Sequence, residues 1–419
     1  MGSSLPPGYF VECLNRPDEI ERLASLSGEI HGGAGVAEMT RKLAFAHPIR
    51  DRIRWLAVVE EESRDIAATL SLIPWTIMYE DVELPAAEMG IVGTRETQRR
   101  RGHMRALVAE FNETAAEEGY LLSHIQGIPW FYRQFGYEYA VPLETNIHLE
   151  FRHIPDTAEG PDIRLRQASD SDTDFLDTCY RESVAGLGLF ALRSPAYWKY
   201  LLGASMQTDY ASDTYIVETE TKSLGYCRIP RHGFGEGLIL GECSNLPLCC
   251  YPRFFLRIKE LALKSGKPFI RLNLGPASPA VLAAKDLGAV DRGGYAWQIR
   301  ITDPAGFLHA VAPVIERRLE GSGFAGYSGG LEIDLYKEKV SVHFSSGKIS
   351  AITNKKAASD DKSGAVVHMP PNLFAPIVLG QKSYTECALF YPDLSAGEKT
   401  VKLLSVLFPG MNGFFHCPY

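Results

Sequence analysis

Between residues 53 and 94 the chain is written in strand-like apolar runs, and at Gly102 the period changes. Ile53, Trp55, Leu56, Ala57, Val58 and Val59 form one run, residues 67–78 a second, and residues 87–94 a third that ends Val92-Gly93-Thr94. Residues 81–85 serve as the hairpin connection. From Gly102 onward Met104, Leu107, Val108, Phe111 and Ala115 recur at helical spacing, with Arg105, Glu110, Glu113 and Glu117 mostly on the other face. Gly119 is placed to stop that helix. An antiparallel meander that hands over to an amphipathic helix through a short loop excludes both an all-β and an all-helical chain. Residues 120–125 then read as a strand and residues 128–137 as an aromatic helical turn, which extends the pattern into an α/β order.

A chain of 419 residues exceeds one ordinary hydrophobic core, and 45% hydrophobic with 22% charged residues is a globular balance. The segment 156–162, with Pro, Gly and acidic residues, reads as a linker, and Ile163-Arg164-Leu165-Arg166 as a fresh start. The second region repeats the first in outline: a strand at 238–243, a helix at 251–265 closed by Gly266, a strand at 269–274 and a helix at 278–286. The Arg-Arg-Arg-Gly run does not recur, since Leu246-Pro247-Leu248-Cys249-Cys250 takes its place. Beyond Thr302 a helix carrying Phe307, Leu308, Val311, Val314 and Ile315 precedes strands at 331–336, 340–344 and 348–352, a charged surface loop at 354–364, and apolar segments at 370–379 and 401–408. The expected domains are 1–155, 156–300 and 301–419.

A formal net charge of -8 argues against broad nucleic-acid binding, which needs a basic surface. No stretch approaches the length of a membrane span, and the N-terminus has no basic segment followed by an apolar core. Met1-Gly2-Ser3-Ser4 is no acylation signal, because Pro6 stands where Ser or Thr is required. The eight cysteines have no C-x-x-C pair and no metal-ligand spacing, so they are expected as buried thiols, with a reducing cytoplasm and no metal.

The strand–loop–helix at 92–104 aims free backbone N–H groups and the positive end of a helix dipole at one point, which favours an anion such as a pyrophosphate. Arg99, Arg100 and Arg101 add charge, and Gly102 allows close backbone approach. The charge run alone would be a solvated turn; its place at the start of a helix makes it an anion site. Arg99-x-x-Gly102-x-Met104 resembles the R/Q-x-x-G-x-G/A motif of the GNAT acetyltransferases, with Met104 in place of the small third residue. Tyr132-Arg133-Gln134-Phe135-Gly136-Tyr137 resembles that family's Y-x-x-F-G-F/Y element. The layout of the whole chain is similar to the enhanced intracellular survival family: a catalytic GNAT domain, a degenerate GNAT-like domain and a sterol-carrier-like α+β domain.

The resemblance implies an acetyl-CoA-dependent N-acetyltransferase. The expected binding set for acetyl-CoA is the backbone of Ile91, Val92 and Gly93, the run Arg99, Arg100, Arg101, Gly102, His103 and Met104, and Gly127 with Ile128. Acyl transfer to an amine needs a neutral amine, a stabilised oxyanion and a proton for the leaving thiolate. Gly93 is expected to splay its strand open. Tyr132 is the candidate general acid, because a phenol of pKa about 10 keeps its proton at neutral pH. Trp130 and Phe135 are read as core. The resemblance implies that the carboxylate of Tyr419 reaches the site as a base and that the chain forms a homohexamer. His103 and His124 are given no catalytic role. The acceptor is a small cationic amine, such as an aminoglycoside or polyamine, or a lysine side chain. The alternative is a non-catalytic acyl-CoA or lipid-binding protein, motivated by Met104 and the carrier-like third domain.

Overall fold

The computed structural model describes residues 5–157, 160–356 and 364–419, without the side chains of 355 and 356. Residues 1–4 and most of the expected charged loop therefore lie outside the described residues, as do two positions of the expected linker.

The first unit is built on a long antiparallel meander. β1 (Tyr9–Leu14), β2 (Arg54–Glu60), β3 (Ile66–Tyr79) and β4 (Val82–Thr94) pair in that order, and β4 pairs in parallel with β5 (Leu122–Ile125). Between β1 and β2 lie two helices that the apolar runs did not announce, α1 (Pro17–His31) and α2 (Ala34–Phe45). Pro17 opens α1, where its missing N–H costs nothing, and Gly32 ends it in the left-handed region at φ 74°. α3 (His103–Glu117) follows the arginine run and ends before Gly119, at φ 78°.

α3 covers one face of the sheet. Leu107, Val108, Phe111 and Ala115 pack there against Ala87 and Met89 of β4 and Ile125 of β5. Because side chains alternate along a strand, Glu88 of β4 and His124 of β5 point to the opposite face. That face belongs to a continuous core containing Trp75, Trp297, Phe307, Phe415 and Tyr419, so residues from all three expected domains share it.

The chain exchanges strands between its first two units. β6 (Glu138–Glu144) stays with the first sheet, but β7 (Ile147–Glu150) pairs with strands Phe269–Leu272 and Val290–Asp291 of the second unit. In return, strand Tyr295–Ile301 inserts between β5 and β6 of the first sheet. The second unit divides at Gly241: Leu238–Leu240 pairs with Phe269–Leu272, whereas Glu242–Cys243 pairs with Ser223–Pro230. Helix Tyr251–Lys264 follows Leu248, Cys249 and Cys250 without a capping glycine.

In the third unit, Val311 separates two short helices, Pro304–Ala310 and Ala312–Glu320, where the apolar spacing suggested one. Pro313 lies in the first turn of the second helix, where it is tolerated, but it cannot continue the first. These helices accompany a five-stranded mixed sheet, Gly329–Asp334 at its centre. The unit is tied to the first through Tyr79, whose hydroxyl donates to the Val378 carbonyl at 2.9 Å. Among the described residues no helix is long and apolar enough to cross a membrane. The cysteines correct one expectation: five are buried, while Cys13 and Cys249 are exposed and Cys417 is half-buried.

Candidate active site

β4 and β5 are hydrogen-bonded only through Ala86–Leu122, Ala87–Ser123 and Glu88–His124. From Met89 onward β4 keeps β3 as its partner and leaves β5, so the two strands part and their facing backbone groups come free. Beyond the parting point β4 bulges. Ser71 opposes Gly90 and Thr69 opposes Gly93, which leaves Ile91 and Val92 against the single residue Leu70. The bulge turns on Ile91, at φ 46°, a strained conformation for a β-branched residue. Ser71 pins it by donating to the Gly90 carbonyl at 2.8 Å.

The opening was expected at Gly93, and the structure moves its pivot to Ile91. Gly93 serves another purpose. A Cβ on it would lie 2.8 Å from Ile30 Cδ1, so the glycine lets α1 close over the strand.

At the far end of the loop, Arg100 and Gly102 take φ values of 65° and 86°. Gly102 is the N-cap of α3, and its surroundings are open to solvent. The N–H groups of His103 and Met104 have no intrahelical acceptor, and the first turn carries no acidic side chain. Arg99, Arg100 and Arg101 are exposed, and among the described residues none of them forms an ion pair. Uncompensated cations beside free N–H groups fit an anion. The His103 ring is buried against Tyr9, at 4.8 Å between centroids, so only its backbone faces the cradle.

Gly127 and Ile128 form the other lip of the opening. The Gly127 carbonyl accepts from the Tyr295 hydroxyl and from Gln298 Nε2 at 2.8 Å, both on the strand that the second unit inserts into the first sheet. Gly127 is required there, because a Cβ would lie 2.3 Å from Cδ2 of Tyr132. Ile128 is exposed. Tyr132 sits in the helical turn Phe131–Phe135 on the α3 side of the sheet, with Tyr137 at 6.2 Å between centroids. Burial pushes its phenol well above the ordinary tyrosine value, so it holds its proton at neutral pH. Trp130 is not core: it is 73% exposed, with Arg133 over its ring.

On the other face of the opening lies the end of the chain. The Tyr419 hydroxyl donates to both carboxyl oxygens of Glu88, each at 2.7 Å, and both residues are buried. Burial pushes the Glu88 carboxyl up to about 8, with the Tyr419 hydroxyl pulling the other way. Around the pair stand Trp75, Tyr210 and His47, at 6.3, 5.2 and 6.5 Å from the Tyr419 ring centre. His124, next to Glu88 in register, is packed against Trp75 at 4.4 Å, and burial takes its imidazole down to about 3. It is neutral core.

Sequence reasoning missed Glu88, Trp75, Tyr210 and His47. An acidic residue inside an apolar strand run was a legible signal for Glu88 alone. A cavity of about 490 Å³ opens beyond Tyr295, toward Glu144 and Lys285, and holds none of the cradle residues. Among the described residues no cluster of three or more His, Cys, Asp or Glu side chains is placed to hold a metal ion.

Residues 18–140 match the acetyltransferase (GNAT) domain family. No curated protein matches the sequence. Solved structures match over nearly the whole chain. A probable N-acyltransferase from Enterococcus faecalis superposes with a TM-score of 0.71 at 14% identity, covering 98% of this chain and 99% of the other. A GCN5-related N-acetyltransferase from Anabaena variabilis gives 0.71 at 15% identity, over 97% and 99%. Eis1 from Mycobacterium abscessus gives 0.63 at 16% identity, also over 97% and 99%. At these identities the likeness is one of fold. The chain thus carries a GNAT acetyltransferase domain at residues 18–140, within a fold it shares over nearly its whole length with N-acyltransferase structures.

Proposed function

We propose that the protein moves the acetyl group of acetyl-CoA to an amine by direct attack, with Tyr132 as general acid and the carboxylate of Tyr419 as base. The observation that carries this reading is the placement of the two tyrosines. Tyr132 packs with the α3 face of the sheet, Tyr419 with the opposite face, and the opening between β4 and β5 separates them. A thiolate leaving on one side and an amine arriving on the other need a proton donor and an acceptor in that order.

The cradle at 99–104 would hold the pyrophosphate of acetyl-CoA, and the freed backbone at 91–93, with Gly127 and Ile128, its pantetheine arm. Acetyl-CoA supplies the activated thioester. The residues of this chain orient it, offer N–H groups where negative charge develops on the carbonyl oxygen, and keep a proton on Tyr132 for the sulfur. The Ile91 bulge supports the oxyanion role, since it turns backbone away from the β3 ladder.

The acceptor we favour is a small cationic amine, such as an aminoglycoside or polyamine, with a lysine side chain as the second class. The excess of acidic residues supports it. The domain assignment 1–155, 156–300 and 301–419, a sterol-carrier-like third unit, a hexameric assembly and a cytoplasmic setting complete the reading. Free thiol released from acetyl-CoA by purified protein, followed against a panel of amines, tests the activity. Light scattering tests the assembly.

A further inference from the structure

The segment 414–419 is seated almost residue by residue. The Phe414 N–H donates to the Leu189 carbonyl at 3.0 Å. The Phe415 ring lies 5.9 Å from His124, 6.2 Å from Trp297 and 6.4 Å from Trp75, between centroids. The Cys417 carbonyl accepts from Arg193 Nη2 at 2.6 Å, and Arg193 is itself held by Glu242 at 2.6 and 3.1 Å. The Tyr419 hydroxyl ends on Glu88. Each of the two glutamates therefore stands where an α/β unit parts, Glu242 next to the break at Gly241 and Glu88 where β4 leaves β5. They hold the same segment, one through an arginine and one directly.

Glu242 has two cationic partners, Arg193 and Arg228, whereas among the described residues Glu88 has none. A buried carboxyl without a cation is costly, and an aliphatic residue would satisfy this strand position more cheaply. What the carboxyl adds is an acceptor, both of whose oxygens lie 2.7 Å from the Tyr419 hydroxyl. We infer that Glu88 is a positioning residue: it seats the Tyr419 hydroxyl at the last paired position before β4 and β5 part, and so fixes Tyr419 against the amine side of the acyl site. This rests on the reading that Tyr419 serves the amine.

The test is a double-mutant cycle in the full chain, with Glu88→Leu, Tyr419→Phe and both together. Each single change is expected to lower kcat/KM for the amine about tenfold or more, and the double change no further. The KM for acetyl-CoA stays where it is. Glu88→Gln, which keeps an acceptor for the hydroxyl, recovers most of the activity, which a role in packing alone would not distinguish from leucine. If Glu88→Leu does not fold, Tyr419→Phe and Glu88→Gln carry the same comparison. A second readout is the rate at which carboxypeptidase releases Tyr419 from the folded protein, expected to rise in Glu88→Leu and to stay near wild type in Glu88→Gln. An active wild type with additive losses, or with acetyl-CoA binding lost in parallel, overturns the inference. An inactive wild type from which Glu88→Leu frees Tyr419 faster overturns the functional reading and leaves the seat standing.

Discussion

The hydroxyl of Tyr419 lies 2.7 Å from both carboxyl oxygens of Glu88, a contact that closes 331 positions of chain on the face of the β4–β5 opening opposite α3. The link makes the end of the third unit part of the first unit's sheet face, and it sets a pH dependence.

A carboxyl raised to about 8 in the fold, against an ordinary value of 4.5, binds more protons folded than unfolded between those values. Its contribution to stability is complete below pH 4.5 and is lost as pH rises through 8. Wild type is expected to lose more Tm than Glu88→Gln between pH 6 and 9, a difference that a pair of thermal melts at each pH resolves.

The buried imidazoles act in the opposite sense. Burial takes His47 and His416 down to about 4 and His124 to about 3, so the fold binds fewer protons than the unfolded chain below 6.5. Stability is therefore lost as pH falls from 6.5 toward 4, and His124→Phe, which keeps the aromatic packing, flattens that acid limb in a urea titration.

Tyr132→Phe removes the proposed acid without disturbing the packing against Gly127. We expect kcat to fall about a hundredfold with the KM of both substrates unchanged. Steady-state kinetics with acetyl-CoA and the best amine measure this directly, and an unchanged kcat removes Tyr132 from the acid role.

Replacing Arg99, Arg100 and Arg101 together by glutamine leaves α3 intact but strips the cradle of charge. The KM for acetyl-CoA is expected to rise about tenfold or more, more steeply at low salt, while acetyl-pantetheine, which has no pyrophosphate, is used as before.

Arg193 is fully buried between Glu242 and the Cys417 carbonyl. Burial raises the Glu242 carboxyl, but Arg193, His416 and Arg228 outweigh it and hold it well below the usual range. Removing the arginine leaves Arg228 at 3.4 Å as the remaining ion partner, so Arg193→Ala should destabilise the protein by about 3–5 kcal/mol in urea unfolding.

The first unit was legible because its signals are local. β2 and β3 are largely apolar runs, β4 is one from Ala86 onward apart from Glu88, and α3 repeats its apolar face from Met104 to Ala115, so period marks them; residues 82–85, read as the hairpin connection, are the start of β4. α1 and α2 were not, because their apolar residues, such as Ile20, Leu23, Leu26 and Leu43, are spread among charges and glycines. The arginine run and Tyr132 could be named as candidates for the same local reason, each lying in a short motif. The face opposite α3 could not be read in this way. Glu88, Trp75, Tyr210 and Tyr419 come from distant stretches of the chain, and only the packed core brings them together. The strand exchange was hidden in the same way: Tyr295–Ile301 looks like any short strand until its partners, β5 and β6, are known.

The most direct test of the central claim is amine-dependent release of thiol from acetyl-CoA, compared between the full chain and a chain shortened by Tyr419 alone. The account predicts release by the full chain that requires an amine, and at least about a hundredfold less by the shortened one, with acetyl-CoA still bound by both. Equal release by the two, or acetyl-CoA binding without release on any amine, would contradict it.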